Sequence, residues 1–176
     1  MEFIKYILSR GLPKTGQVTE YVAGDDGTYE AGWWLKKLNA NNRTRLVAKT
    51  IDGDVVVFDR ATGLCWAADG NAVINNSGAA IAWAAGISYP IGKTHAGFSG
   101  WRIPNLKELL CIADYGVSGL AIKEPPFINT GAVEYWSSTT NITYPTYTFF
   151  IPFDSGAVAA GLKTDLKRIR CVRNTF

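Results

Sequence analysis

Four strand-like runs fill the C-terminal part of the sequence, and they constrain the fold more than any other feature. They are "VEYWSST" (133–139), "TYTFFIPFD" (146–154), "GAVAAGL" (156–162) and "KRIRCVR" (167–173), with Asn-, Pro- and Gly-bearing turns between them. Short runs of aromatic and β-branched residues separated by turn residues are typical of antiparallel strands. We therefore predict that this part of the chain forms an antiparallel sheet.

Two helices are predicted in the middle of the chain. Asn105 is a candidate N-cap, and Glu108 stands three residues later, as in a capping box. One apolar face follows at helical spacing: Leu106, Leu109, Leu110 and Ala113. These signals predict a helix over Asn105–Tyr115, and a second helix is predicted over Ser77–Gly86. Helices in the middle and strands toward the ends indicate an α+β fold class.

The composition fits one globular domain that spans residues 1–176. Hydrophobic residues make up 47% of the chain and charged residues 19%, which is enough apolar material for a core. The net charge of +3 is too small, and its basic residues too scattered, for a nucleic-acid-binding protein. The densest basic run is interpreted as a strand with outward-facing Lys167, Arg168 and Arg170.

The N-terminus shows no targeting signal. Glu2 and Lys5 interrupt the apolar residues of "MEFIKYILSRG", so an h-region is missing. No stretch approaches the roughly 20 apolar residues that span a membrane. "LPKTG" (12–16) has the form of a sortase signal, but it precedes a whole domain and is interpreted as a turn. We expect neither Sec-dependent export nor membrane insertion.

The sequence offers no set of residues for catalysis, for a metal or for another cofactor. Cys65, Cys111 and Cys171 are far apart, and the single His95 lies in a Gly-rich loop with no Asp or Glu within ten residues. The cysteines are expected to be three free thiols or, as an alternative, one Cys111–Cys171 bridge with one free thiol. We predict a protein that is not an enzyme.

Six short motifs resemble, in their order, the C-terminal domain of collagen-like adhesins, a family with a C-type-lectin-like fold. They are "LPKTGQ" (12–17), "GDDGTYEAG" (24–32), "DRATGLCW" (59–66), "GWRIPNLKEL" (100–109), "YWSST" (135–139) and "IRCVR" (169–173). The resemblance leaves residues 1–11 as an N-terminal extension. It implies that the terminal strands pair and that two helices pack on a twisted antiparallel sheet.

Aromatic residues and one arginine are expected to build the scaffold of this fold. Trp66, Trp83, Trp101 and Trp136 are spread along the chain, which favours rings that converge on one core. Arg102 precedes Pro104 and is expected to fix the entry of the helix by bonding loop carbonyls.

The resemblance also separates binding from catalytic relatives. Calcium-dependent C-type lectins read sugars through "EPN" or "QPD" and "WND" signatures, whereas this chain has "EPP" (124–126) and no "WND". Formylglycine-generating enzymes share a related fold, but the three cysteines here do not match their copper-binding arrangement. A catalyst of that kind is the least favoured reading.

Residues 134–176 resemble the variable region of a narrower group, the variable proteins of diversity-generating retroelements. Adenine-directed mutagenesis of Asn codons there yields residues such as Asn, Tyr, Thr, Ser, Ile, Phe and Asp. Compatible residues are Thr140, Asn141, Ile142, Thr143, Tyr144, Thr146, Tyr147, Phe149, Thr164 and Asp165. They would be displayed on a scaffold that includes Trp136, Gly156, Cys171 and Val172. A fixed-ligand adhesin domain is the alternative.

Either reading predicts one binding surface for a protein or cell-surface ligand. The localisation is left open, with a virion surface, or the cytoplasm before assembly, as the alternatives that fit the retroelement reading. The predicted ligand-binding residues are Asn141, Thr143, Tyr144, Thr146, Tyr147, Phe149 and Thr164. Strand alternation points Phe149 and Phe150 in opposite directions, so only one of them can join Trp136 in the core. We expect Phe149 to face outward with Tyr144 and Tyr147.

Overall fold

The computed structural model describes residues 12–32, 45–122 and 125–175, so the predicted extension 1–11 lies outside the described residues. Antiparallel sheets dominate these residues, and the largest sheet has the strand order β1-β2-β3-β9. Its strands are β1 (Leu46–Ile51), β2 (Asp54–Asp59), β3 (Leu64–Ala67) and β9 (Val172–Asn174). The C-terminal strand therefore joins the strands of the first half of the described chain, by pairing with β3.

Two further sheets hold three of the four C-terminal runs that the sequence predicts as strands, whereas the run at 167–173 is interrupted and ends in β9 of the large sheet. One has the order β5-β6-β7, and the other pairs β4 with β8. Their strands are β4 (Ile81–Ala82), β5 (Glu134–Thr140), β6 (Tyr147–Pro152), β7 (Ala159–Leu162) and β8 (Leu166–Lys167). The α+β class is confirmed in a sheet-rich form, since the predicted single sheet is divided into three.

The helices of the described residues are short: α1 (Asp26–Tyr29), α2 (Trp83–Ser88), α3 (Leu106–Leu110) and a 3₁₀ segment (Val73–Gly78). The prediction of a helix over Ser77–Gly86 is wrong for residues 77–82 and holds only for residues 83–86, which form the beginning of α2. Ser77 has a φ of +50° and Gly78 a φ of +74°, so the backbone leaves the helical region there. Residues 81–82 then pair with β8 before α2 begins. None of these helices is long and apolar enough to cross a membrane.

Helix α3 begins where the sequence predicts and ends earlier. Asn105 accepts a bond from the Glu108 N–H, and the Glu108 carboxylate accepts one from the Asn105 N–H, so the capping box is confirmed. The helix ends at Leu110, residues 111–113 continue as turns that bond back to it, and the backbone then bonds elsewhere. Asp114 N–H donates to Ala121 O at 3.0 Å, and the Tyr115 N–H donates to Thr15 O at 2.8 Å.

Strands β5 and β6 lie between two apolar clusters, and neighbouring residues point into different ones. Tyr135 and Ile151 belong to a cluster that includes Trp66 and Leu109. Trp136 and Phe150 belong to a second cluster that includes Trp101. Residues Trp66, Trp101 and Trp136 are buried as predicted, but they are divided between two clusters, and Trp83 is only half-buried.

The C-terminal basic run is mostly buried, which corrects the prediction that it faces outward. Arg170 has no exposed surface and donates to the carbonyls of Ala67 and Ala68 at 3.0 and 2.8 Å. Lys167 is 6% exposed and lies 4.9 Å from the ring of Trp136. Buried cations need acceptors and aromatic faces around them, and these partners come from distant parts of the chain.

Arg102 holds the start of α3 through a carboxylate rather than through loop carbonyls. Its two terminal nitrogens each donate to Glu108 at 2.7 Å, in a bidentate pair. Its contact with a carbonyl, Ile103 O, is 3.5 Å long. The structural role that the sequence predicts for Arg102 is therefore present, with a different acceptor.

Candidate binding surface

The loop between β5 and β6 is ordered by one of the predicted binding residues. The Asn141 side-chain oxygen accepts bonds from the N–H groups of Thr143 and Tyr144, at 3.0 and 3.3 Å. The loop closes with the Tyr147 N–H donating to Tyr144 O at 2.8 Å. Asn141 is half-buried and fixes the conformation of the loop through these bonds, while residues 142–147 face the solvent.

Replacing Asn141 with Ala should disorder this loop, because two backbone N–H groups lose their acceptor. The free energy of unfolding should fall by only about 0.5–1.5 kcal/mol, the typical worth of one such interaction. NMR shift changes should be confined to residues 141–147. Asn141→Asp keeps the acceptor oxygen and is the matched control. Equal shift changes in the two variants would contradict the role assigned to the oxygen.

The β6–β7 ladder brings the second part of the predicted site, around Thr164, beside this loop. Tyr147 lies directly opposite Leu162. The Lys163 N–H donates to Thr146 O at 2.9 Å, which continues the ladder into the loop. Residues 141–147 and the turn at 163–165 are therefore neighbours, although they are separated in the sequence.

Most of the predicted binding residues face the solvent. Tyr144 is 62% exposed and Tyr147 is 37% exposed, and their rings form a T-shaped pair with centroids 6.2 Å apart. Thr143, Thr146 and Thr164 are exposed as well, while Asn141 and Phe149 are half-buried. Exposure agrees with a binding role but does not test it, and that role stays a prediction.

The two adjacent phenylalanines divide between the faces of β6 as the alternation predicts. Phe150 joins the core and packs edge-on against Trp136, with ring centroids 6.0 Å apart. Phe149 lies on the opposite face and is half-buried rather than free in solvent. The aromatic patch is therefore carried by Tyr144 and Tyr147, with Phe149 at its base.

Only one half of this outer face is open to the solvent. Ile151 and Phe153 share the face of Tyr147 by alternation, yet both are buried in the cluster that contains Leu109 of α3. The outer face is therefore covered at residues 151–153 and open at residue 147.

Not all of the Thr-rich stretch belongs to the surface. Thr148 is buried and donates its hydroxyl to Thr139 O at 2.8 Å. Ser137 is also buried and donates its hydroxyl to Phe149 O at 2.7 Å. The register between β5 and β6 shifts between Trp136 and Thr140. These hydroxyls satisfy backbone carbonyls beside the irregularity, so their role is structural.

Sequence reasoning left two apolar residues out of the binding set. Ile142 is 92% exposed at the tip of the loop, and Leu162 is 41% exposed opposite Tyr147. Leu162 depends on strand register, which the local sequence does not reveal. We call the following set the hairpin surface: Ile142, Thr143, Tyr144, Thr146, Tyr147, Leu162 and Thr164.

The hairpin surface is uncharged, and charges lie only beside it. No charged residue occurs between Glu134 and Asp154 in the sequence. At the neighbouring turn, the Lys163 ammonium lies 4.1 Å from the centre of the Trp83 ring. The Asp165 carboxylate lies 3.8 Å from the ammonium of Lys167. The nearest charges are thus engaged with partners of their own.

The environments of the cysteine thiols and of the histidine indicate a structural role for these residues. All three cysteines are free, so the alternative of a Cys111–Cys171 bridge is wrong. Burial raises the thiol pKa to about 11 for Cys65 and to about 12 for Cys171. Thiols with such a pKa are poor nucleophiles at neutral pH. His95 is buried against the Trp101 ring, with its Nδ1 3.2 Å from the Asp54 carboxylate.

A metal centre is not evident in the part of the chain that the structure describes. No group of three His, Cys, Asp or Glu side chains there could hold an ion. The acidic turn at residues 25–26 serves the backbone instead, since the Asp25 carboxylate accepts from the N–H groups of Tyr21 and Thr28, at 3.0 and 3.2 Å.

The comparisons with known proteins give one family. The family model described as the Lcl C-terminal domain matches residues 55–173. A search of curated proteins found no match. Of the nine strands of the described residues, the matched range leaves out only β1, the first residue of β2 and the last residue of β9, and it includes the whole hairpin surface. The motifs at residues 12–17 and 24–32 lie outside it. The chain therefore belongs to the Lcl C-terminal domain family, whose domains are C-type-lectin-like and adhesin-like.

Proposed function

We propose that this domain is a binding protein with a C-type-lectin-type scaffold and that it holds its ligand on the hairpin surface. The observation that carries the proposal is the pair of exposed, mutually packed rings of Tyr144 and Tyr147 on an ordered, uncharged loop. The ligand is a protein or a cell-surface molecule, and the domain acts without catalysis.

Tyrosine rings supply what a binding surface needs. Each ring offers a large contact area with few rotatable bonds, so little side-chain entropy is lost on binding. The two rings already pack against each other before the ligand arrives. An apolar–aromatic patch of this kind on a soluble domain marks an interaction site more often than a random surface does.

The loop under the rings is organised in advance. The Asn141 side-chain oxygen accepts hydrogen bonds from two backbone N–H groups of the loop. The Lys163 N–H, which follows β7, donates to the carbonyl of Thr146. A loop that is already ordered loses less entropy when it binds, which raises affinity without new contacts. The rigid sheet beneath therefore supports the proposal as much as the exposed rings do.

The absence of charge on the hairpin surface predicts the chemistry of the partner. Charged interfaces weaken strongly as salt is added, because ions screen them. A surface of Tyr, Thr, Ile and Leu side chains gains its affinity from apolar contact and neutral hydrogen bonds. We therefore expect binding to persist at high salt.

Replacing Tyr144 and Tyr147 together with Ala should reduce binding at least about tenfold, as expected for central aromatic contacts. The free energy of unfolding should change by only about 0.5 kcal/mol per site, because both side chains are exposed. The measurement is retention of the labelled domain on cultured cells and on immobilised extracellular-matrix proteins, together with urea denaturation.

The matched control is Tyr21→Ala, which removes a ring that is 82% exposed and lies outside the hairpin surface. This variant should bind like the unmodified domain. If the control loses as much binding as the double variant, or if the double variant binds normally, the hairpin surface is not the binding site.

A second, finer proposal is that the hairpin surface is diversified by a retroelement. One observation favours it: all ten residues compatible with adenine-directed substitution are exposed or half-buried, whereas the scaffold residues Trp136, Gly156, Cys171 and Val172 are buried. The test is the DNA around the gene, which should hold a near-copy of the 3′ coding end beside a reverse transcriptase gene. A locus without these elements would leave the fixed-ligand adhesin reading in place.

A further inference from the structure

Strand β7 is the outer strand of the β5-β6-β7 sheet. On the other side of that sheet, β5 is bonded further, since Trp136 N–H donates to Arg168 O at 2.9 Å. Among the described residues, the only ladder of β7 is the one with β6. One edge of the sheet is therefore closed, and the edge formed by β7 (Ala159–Leu162) is open there.

The register shows which backbone groups of β7 point away from the sheet. Lys163 N–H donates to Thr146 O, and bonded pairs in an antiparallel ladder recur at every second residue. Ala159 and Gly161 therefore bond to β6, and the N–H and C=O of Ala160 point outward. Within the described residues, no backbone group bonds to them.

The side chains of β7 itself carry no charge that would oppose a further strand, and the nearest carboxylate, that of Asp165, lies against Gly161 and 3.8 Å from the Lys167 ammonium. Residues 155–162 hold no charge and no proline, and Ala160 and Leu162 are exposed. Proteins commonly protect an open edge with a charge, a proline or a bulge. The outer strand of the large sheet, β1, carries such a charge in the exposed Lys49.

We propose that β7 pairs with β7 of a second copy of this chain, in antiparallel orientation about a two-fold axis at Ala160. The strand suits itself as a partner, because its small uncharged side chains bring neither steric conflict nor like-charge repulsion to a symmetric contact. Pairing joins two β5-β6-β7 sheets into one continuous sheet of six strands.

The register of the pairing follows from the outward groups. Ala160 N–H of each copy donates to Ala160 C=O of the other copy, and Leu162 N–H donates to the Val158 carbonyl across the axis. Val158 is 47% exposed and Leu162 is 41% exposed, so both are accessible for this contact. Four backbone bonds and a few apolar side chains make a weak dimer that forms as concentration rises.

The test compares two lysine variants by sedimentation velocity over a wide range of protein concentration. Ala160→Lys places like charges directly opposite each other at the axis and should weaken dimerisation at least about tenfold. Ala157→Lys adds the same charge at an exposed residue just outside β7 and should dimerise like the unmodified chain.

Cross-linking gives a second readout, which reports how close the two copies of residue 160 lie. Bonded antiparallel pairs have Cα atoms about 5.5 Å apart, within the range that a disulfide spans. With oxidised glutathione present, Ala160→Cys should form a covalent dimer much faster than Ala157→Cys in the same background. The Tyr144 and Tyr147 double variant should still dimerise, since the proposal does not rest on the hairpin surface as a ligand site.

Several results would overturn the proposal. A chain that stays monomeric at every concentration contradicts it, and so does equal dimerisation of the two lysine variants. A monomer whose Ala160 amide resists hydrogen exchange would show that an extended segment from elsewhere occupies the edge, which also rejects the second copy as the occupant.

Discussion

Replacing Trp136 with Ala should lower the free energy of unfolding by about 3–5 kcal/mol, the usual cost of truncating a buried Trp. The ring is fully buried and packs edge-on against Phe150. Its indole N–H donates to Ile81 O at 2.8 Å, so the change also leaves a carbonyl of β4 without its donor. The Lys167 ammonium loses an aromatic face as well.

Urea denaturation followed by far-UV circular dichroism measures this effect. Tyr147→Ala is the control in the same hairpin, because it removes an aromatic ring that is 37% exposed. That variant should change the free energy of unfolding by no more than about 0.5 kcal/mol. If Tyr147→Ala unfolds the domain while Trp136→Ala is harmless, the faces of the hairpin are assigned in reverse.

Replacing Asp59 with Ala should cost a similar amount, about 3–5 kcal/mol, because it leaves a buried guanidinium without its counter-charge. Arg45 donates to the two Asp59 carboxylate oxygens at 2.9 and 2.7 Å, and the Asp59 side chain has no exposed surface. The same carboxylate accepts bonds from the Ala61 N–H and the Thr62 hydroxyl, both at 2.9 Å.

A double-mutant cycle separates two contributions to the lost stability: the unpaired charge of Arg45 and the lost hydrogen bonds to the turn at residues 61–62. Arg45→Met in the Asp59→Ala background removes the stranded cation, so part of the lost stability should return. Asp165→Ala, which removes a carboxylate that is 43% exposed, is the control and should cost about 0–1 kcal/mol. A double variant less stable than Asp59→Ala alone would show that the buried charge is not the main cost.

Features that are set by near neighbours could be predicted from the sequence. The capping box at Asn105 and Glu108 involves residues three apart, and both of its bonds are present. Alternation along β6 placed Phe149 and Phe150 on opposite faces for the same reason, since it depends only on a strand period of two. Local chemistry of this kind does not need the rest of the fold.

Features that depend on distant partners could not be predicted. Arg170 looked like a solvent-facing residue because its acceptors, the carbonyls of Ala67 and Ala68, lie far away in the sequence. The helix predicted over Ser77–Gly86 begins only at residue 83, because residues 81–82 pair with β8 near the other end of the chain. Tertiary pairing overrides local preference at both places.

In the candidate site, too, some features follow from the local sequence and others depend on distant partners. Tyr144 and Tyr147 stand in a stretch whose composition already indicates a surface, and both are exposed. Leu162 enters the hairpin surface only through its register opposite Tyr147. The sequence predicts ligand contact for Asn141, but its side-chain oxygen accepts hydrogen bonds from the loop backbone. An Asn side chain serves either role, and only the turn geometry decides between them.

The position of β5 and β6 between two clusters determines how the domain responds to mechanical tension. A pull on the loop at residues 141–146 acts along both strands, and the two strands move together, so their common ladder is not stretched. The load falls on the bonds to β7, to Arg168 and to the segment at residues 104–106, so these bonds are loaded together in shear. Both clusters would have to release their rings in the same step, because Tyr135 and Trp136 anchor opposite faces. A force applied to this loop is therefore transmitted to both apolar clusters before the β5–β6 hairpin separates from the domain.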